Sequence, residues 1–368
     1  MAAITCASST RLLCASLIPV AVLAAGACQR SDAIPVVTAV AVSDHAATID
    51  SARSILQDAA AQGAGVAVAV FVRGGVVWAE GRGWADLEQR LPVSPDATRF
   101  RVYSVSKPMT AVVAARLMER GALDPTAPIQ RYVPEFRAPT AEAVTAMHLA
   151  THTSGIRHYA NEAEAASALH CGSVQEALEI FARDPLLHAP GADESYSSWG
   201  YVLLSAVVEG AAASDFELAM QTFLFEPAGM THTTIDDPET RVDGRATFYE
   251  QVEDENGAVT LRPAAFVDNT CKWGAGGYVS TATDVASFGM SMLDSAYLAP
   301  ASLELFMRGE DIYRAQGVGT GGASFLVVDR TRALSVALLS NAVGDVSGPA
   351  AQQATARIHG LFREALGR

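Results

Sequence analysis

Apolar residues cluster into two kinds of run, and the two ends of the chain mirror each other. "GVAVAVFV" (Gly65–Val72) is an unbroken stretch of small and β-branched residues, which predicts a buried strand. Arg73–Gly75 predicts a turn and Val76–Glu80 the returning strand. A helix is predicted ahead of them over Ala46–Ala61. Near the other end, Ser324–Val328 and Ala333–Leu339 read as strands around a turn at Asp329–Arg332. Pro349–Leu366 reads as a closing amphipathic helix. Strands at both ends and a helix-rich middle predict an α+β (or α/β) fold. It would be one antiparallel β-sheet flanked by N- and C-terminal helices, with a large helical insert. The sheet lobe is assigned to 46–103 plus 266–368 and the helical lobe to 104–265. Ligands favour the crevice between such lobes.

The first residues follow a different pattern. Arg11 precedes "LLCASLIPVAVLAAGA", a run shorter than the roughly 20 apolar residues of a membrane span. It reads as an export signal over 1–27. The small residues before Cys28 resemble a bacterial lipobox, although Ala25 stands where such signals prefer leucine. Lipid attachment at Cys28 and ordinary cleavage nearby both remain open. Residues 28–45 read as a tether. The expected location is the periplasm or cell envelope, with a lipoprotein anchor if Cys28 is acylated.

Composition narrows the partners. The 368 residues carry a formal net charge of -14, which argues against nucleic acid and anionic lipid. No His-Glu-x-x-His helix, paired-cysteine motif or Gly-rich phosphate loop appears, so neither metal nor cofactor is expected. The expected partner is a small-molecule or peptide substrate. Cys171 and Cys271 could form a bridge in an oxidising compartment, or remain two buried thiols.

Candidate chemistry begins with lysine, which occurs only at positions 107 and 272. Lys107 follows Ser104 by three residues, at the start of a helix whose apolar stripe includes Ala111, Val112, Ala115, Leu117 and Met118. Gly121 is its C-cap. Residues three apart share a helix face. The positive end of the helix dipole and burial both favour a neutral amine. A neutral amine beside a hydroxyl is a nucleophile with its base. Alone the pair is weak, because serine three residues before a lysine is common. "YSSWGYVLLS" adds Tyr196 and Ser198 at the start of a second apolar helix, and a phenol near a lysine can relay a proton.

Together these segments resemble the serine β-lactamase and penicillin-binding-protein superfamily, in its class C and esterase-like branch. The likeness runs in order through "DATRFRVYSVSKPMTA", "LDPTAPIQRYVPEF", "HLATHTSGIRHY" and "AGGYVSTATDVASF", and covers about residues 46 to 368. "HTSGIRHY" and "VDNTCKWGAGG" look most like the mitochondrial β-lactamase-like serine hydrolases and their bacterial relatives. The resemblance implies that Ser104 is the acylated nucleophile, that Lys107 activates it, and that Tyr196 is general base and acid. Ser198 stands where many relatives have asparagine, near the substrate amide. The oxyanion hole would use the N–H of Ser104 and one from the strand of a third motif.

Relatives carry lysine or histidine, then Thr/Ser, then Gly in that third motif. "GTGG" (Gly319–Gly322) matches with Thr320 and with Gly322 as N–H donor, leaving Gly319 in the place of the cation. Lys272, beside Trp273, could stand in for that cation or be a surface lysine next to a core tryptophan. Arg157 and His158 would line the rim or belong to a structured loop, and His152 reads as a structural histidine. Little room for a strand is left between Met307 and Gly319, so an irregular sheet edge is expected there. The implied function is an exported serine hydrolase acting on peptide, amide or ester bonds. The alternatives are a β-lactamase or D,D-carboxypeptidase, and a non-catalytic binding module on the same scaffold. Oligomeric state is not set by the sequence.

Overall fold

The alternation of valine and alanine in Gly65–Val72 is a two-sided code. Val66, Val68 and Val70 join one hydrophobic core and Ala67 and Ala69 join the other. Successive side chains on a strand point to opposite faces, so large and small layers separate. The strand is buried along its length except at the half-buried Phe71, because both faces of its sheet are covered. The structure is a computed structural model, and it describes residues 34–367 except 62, 64, 137–142, 254, 256–258 and 345–346.

The main antiparallel sheet contains β1 (Val36–Ala41), β2 (Gly65–Val72), β3 (Gly75–Asp86), β4 (Ile312–Gly319), β5 (Gly322–Asp329) and β6 (Leu334–Ser340). Its order is β1-β3-β2-β6-β5-β4. The first and last hairpins meet through β2 and β6, paired from Val72↔Leu334 to Val66↔Ser340. The valine face carries α1 (Ala46–Ala60) together with the C-terminal helix Ser347–Ala365, whose Ile358 and Phe362 are fully buried. The alanine face carries the larger core. It includes α2 (Ser106–Glu119), α3 (Ser198–Ala212) and α4 (Ala282–Ser291). α5 (Pro300–Met307) leads into β4, and the C-terminal helix is α6.

Three expectations change. The stretch read as a tether ends earlier, since Val36–Ala41 pairs with β3 as an edge strand and Ser43–His45 is a 3-10 turn. The helical lobe is not wholly helical to 265. Tyr249–Glu253 and Val259–Pro263 form a hairpin that joins Ala342–Val343, and Thr234–Ile235 pairs with Tyr278–Ser280. The segment after Met307 is not too short for a strand. Arg308 ends α5 in the left-handed region, and β4 then pairs with β5 without a slip from Ile312↔Asp329 to Gly319↔Gly322. The export signal over 1–27, and Cys28 with it, lie outside the described residues.

Cys171 and Cys271 are bridged, which resolves the alternative left open by the sequence. The bridge spans a sequence separation of 100 residues. Cross-linking a loop of that length stabilises by about 2–5 kcal/mol, by restricting the unfolded chain. Replacing both cysteines by serine is expected to lower the unfolding free energy by that amount in urea titrations. An unchanged midpoint would mean that the thiols are not joined in solution.

Candidate active site

The chain reaches the site through a strained residue. Tyr103 has φ 44°, a conformation that a bulky side chain adopts at a cost of about 1–3 kcal/mol. Its phenol anchors the distortion by donating to Thr320 O at 2.6 Å. The distortion starts a one-turn 3-10 segment, Tyr103–Val105, that carries Ser104 and continues as α2. α2 is buried on almost every side rather than along one stripe, so it serves as the central helix of the larger core.

Lys107 lies in the first turn of α2. Its Nζ is 2.9 Å from Ser104 Oγ and 2.7 Å from Ala275 O, to which it donates. Burial pushes its ammonium down to about 7. Ser104 Oγ is also 2.8 Å from Tyr196 Oη. Burial raises the Tyr196 phenol, while hydrogen bonds to Ser104 and Ser198 oppose the rise. Hydroxyl, amine and phenol therefore meet at one oxygen.

Tyr196 is held in place by two histidines. The His152 ring lies 4.6 Å from its ring, and the His158 ring stands edge-on at 5.2 Å. His152 Nδ1 accepts the N–H of Ser197 at 3.2 Å, and His158 Nδ1 accepts the N–H of Ser198 at 3.1 Å. Accepting requires that both nitrogens be unprotonated. Burial first, then Lys107, pushes His152 down to about 4 and lowers His158 as well. Ser197 caps α3 by accepting from Gly200 N at 2.8 Å, and it donates to Arg157 O at 2.7 Å. Arg157 itself is engaged by Asp184 and Glu164, so it braces the loop and does not line either recess. The positioning role of His152 and His158 was not legible from spacing. The only sequence hint is two histidines on one loop with two consecutive N–H groups to satisfy.

Two recesses open from this point, sharing Ser104, Tyr196 and Gln316. The first, about 330 Å³, is mainly apolar and runs along Pro108, Ala111, Ala115 and Met118 toward Phe306. The second, about 760 Å³, is bounded by Ser198, His158, Lys272, Gly319 and Thr320. Trp273 lines neither and packs into the core against Phe216. Among the described residues no group of three or more His, Cys, Asp or Glu side chains could hold a metal ion.

A profile of the beta-lactamase family matches residues 52–359. The chain belongs to that family. Human serine beta-lactamase-like protein LACTB, mitochondrial, is 32% identical over 296 residues, which is 62% of this chain and 53% of that protein. Esterase EstB from Burkholderia gladioli is 36% identical over 183 residues, 45% of each chain. The chain spans about half the length of these curated relatives. D-amino acid amidase from Ochrobactrum anthropi SV3 superimposes with a TM-score of 0.72 at 20% identity, covering 87% of this chain and 99% of the amidase. The mixed α+β fold is thus that of the beta-lactamase and penicillin-binding-protein group, a family of serine hydrolases.

Gly317 is the glycine of β4 that lies against the serine. A Cβ there would fall 2.1 Å from Val102 O and 2.7 Å from Ser104 N. Gly319 faces the Tyr103 ring instead, where a Cβ would be 2.6 Å from Cε1. Thr320 uses its carbonyl on Tyr103 and Arg101, and Gly322 closes the hairpin opposite Gly319. Thr320 borders the second recess with Ser104 and Lys272, whereas Ala315 lines the first.

Gly317→Ala is expected to push β4 away from Ser104 and lower esterase turnover by about 100-fold, the usual effect of a misplacement near 1 Å. The thermal midpoint should move by only a few degrees. Wild-type turnover in this variant would show that β4 does not need that approach.

Proposed function

We propose that the protein is an exported serine hydrolase that forms an acyl-enzyme on Ser104. The observation that carries this reading is the placing of Ser104 Oγ within 2.9 Å of a buried amine and 2.8 Å of a phenol. Lys107 is poised near neutrality, so its lone pair can accept the Ser104 proton while an N–H stays on Ala275 O. Oγ then bonds to the carbonyl carbon. The oxyanion is held by the Ser104 N–H and by an outward N–H of β4. Gly319 and Gly322 close the hairpin, so strand alternation turns Val318 N–H away from β5 and toward the cleft. As the intermediate collapses, Tyr196 gives its proton to the leaving atom and is reprotonated from Lys107. Water repeats the sequence in reverse and frees Ser104.

The substrate is a peptide, amide or ester. Because Gly317 lies against Ser104 N, we read Ala315-Gln316-Gly317 rather than Gly319–Gly322 as the third motif, so that Ala315 offers no charge where relatives place lysine or histidine, and the recess beside it is apolar. This favours uncharged leaving groups over the carboxylates that a β-lactamase or D,D-carboxypeptidase must hold there. The names of esterase EstB and the D-amino acid amidase are in keeping with that preference. The completeness of the hydroxyl, amine and phenol cluster speaks against a non-catalytic binding module. Export rests on the pattern of residues 1–27 and is supported by the Cys171–Cys271 bridge, which suits an oxidising compartment.

Ser104→Ala is expected to abolish hydrolysis of a p-nitrophenyl ester and labelling by a fluorophosphonate, read by mass spectrometry. A wild-type rate in that variant places the nucleophile elsewhere. For the wild type, kcat/KM should rise with pH to a plateau, with its midpoint near 7, because only the unprotonated amine can accept the serine proton. A flat profile from pH 5 to 9 contradicts the role of Lys107.

Lys107→Met should lose about 10²–10⁴ in rate, the usual contribution of a positioned base. It should also gain stability. The native amine releases its proton near 7 and the unfolded one near 10.5, so folding at or below pH 7 carries a penalty of about 5 kcal/mol. That penalty fades as pH rises toward 10.5. Denaturant melts should show the methionine variant more stable at pH 7, by up to that amount, with the gap closing at alkaline pH. A less stable variant refutes the penalty.

A further inference from the structure

The second recess is backed by a charge imbalance that acyl transfer does not use. Asp236 is buried and accepts from Arg101 Nε at 2.8 Å, Arg245 Nε at 2.6 Å and Asn269 Nδ2 at 2.7 Å. Lys272 joins this cluster, its Nζ donating to Asn269 Oδ1 at 2.7 Å and lying 5.4 Å from the Tyr103 ring. Arg101, Arg245 and Lys272 stand against Asp236 and Asp268, a surplus of one positive charge (3 − 2) with His170 neutral. The next carboxylate, Asp268, is occupied by His170, by Thr270 Oγ1 and by the Thr270 N–H. Glu162 sits on the exposed rim.

Unpaired buried charge is costly. Burial first, then Arg101, brings the Lys272 ammonium down to about 8, so it is still mostly charged at neutral pH. The turn that holds it is fixed from both sides. Cys271 is bridged to Cys171, and Trp273 is held at φ 39°, ψ -129°. A rigid, partly unsatisfied ammonium in the wall of a cleft that reaches Ser104 is a preformed seat for an anion.

We propose that Lys272 binds a carboxylate carried by the acyl half of the substrate. This rests on the hydrolase reading and gives it a substrate class, namely monoesters or monoamides of short dicarboxylic acids and acidic acyl groups of similar reach. The halves are assigned from the polarity of the two recesses. Tyr196, which protonates the leaving atom, borders both, and the apolar first recess suits the uncharged leaving group. The acyl half is left in the second recess, beside Ser198 and Lys272. The enzyme therefore reads an anion on one side of the bond and an apolar group on the other.

The test compares mono-p-nitrophenyl glutarate with p-nitrophenyl pentanoate, two esters of equal acyl length that differ in the carboxylate. The wild type should prefer the glutarate ester. Lys272→Met should lower the glutarate-to-pentanoate ratio of kcat/KM by at least about 10-fold, since removing one partner of a buried charge pair costs a few kcal/mol. Lys272→Arg should keep part of the preference. A ratio that stays within about 2-fold of wild type in Lys272→Met overturns the subsite. If the methionine variant does not fold, competitive inhibition of the wild type by free glutarate decides, with equal inhibition by butanol at the same concentration counting against. Binding can also be tested without catalysis. Glutarate should raise the thermal midpoint of Ser104→Ala, and should not do so for Ser104→Ala/Lys272→Met. Protection of Ser104→Ala alongside a wild type that cleaves neither ester would retire the hydrolase reading and leave the anion seat standing. No protection alongside normal ester cleavage would do the reverse.

Discussion

Keeping one amine dry is the constraint on which the site depends. Lys107 is enclosed by a helix buried on nearly all sides, and its Nζ is fixed between Ser104 Oγ and Ala275 O. The turn that supplies Ala275 O is tied to α2 and α3 by Thr110, which donates to Gly274 O at 2.8 Å, and by Ser205 Oγ, which accepts from Gly274 N at 3.2 Å. Domain stabilities are typically only about 5–15 kcal/mol, so a penalty of several kcal/mol for a desolvated lysine is a large share. The two-faced sheet and the disulfide offset it. Stability and reactivity are thus set against each other at one nitrogen.

The edge strand β4 determines what that nitrogen can act on. Gly317 lets the strand approach the serine, Ala315 lines the apolar recess, and Gln316 borders both recesses. With Lys272 in the second recess, the two sides of Ser104 differ in polarity while sharing one hydroxyl, amine and phenol.

Legibility followed how local each signal was. The Val/Ala alternation of β2, the S-x-x-K spacing and the closing helix are written in neighbouring residues; the predicted α1 runs one residue too far at its end, and the predicted β6 is shifted by one residue at both ends. β1 escaped notice because "VVTAVA" lies on a sheet edge with no buried residue, and five of its six side chains are apolar, so no polar alternation marks its period. β4 escaped because Arg314, Gln316, Gly317 and Gly319 interrupt "IYRAQGVG", a strand that faces solvent and cleft rather than core. The approach of Gly317 to Ser104 N spans more than two hundred residues and is not written in its neighbours. The clasp of His152 and His158 on the N–H groups before α3 is equally non-local.

The strand order has a consequence for geography. β1 and β4 are opposite margins of the sheet, five strand spacings apart, or about 24 Å at the usual interval. A change in β1 can therefore reach the nucleophile only through the four strands that lie between.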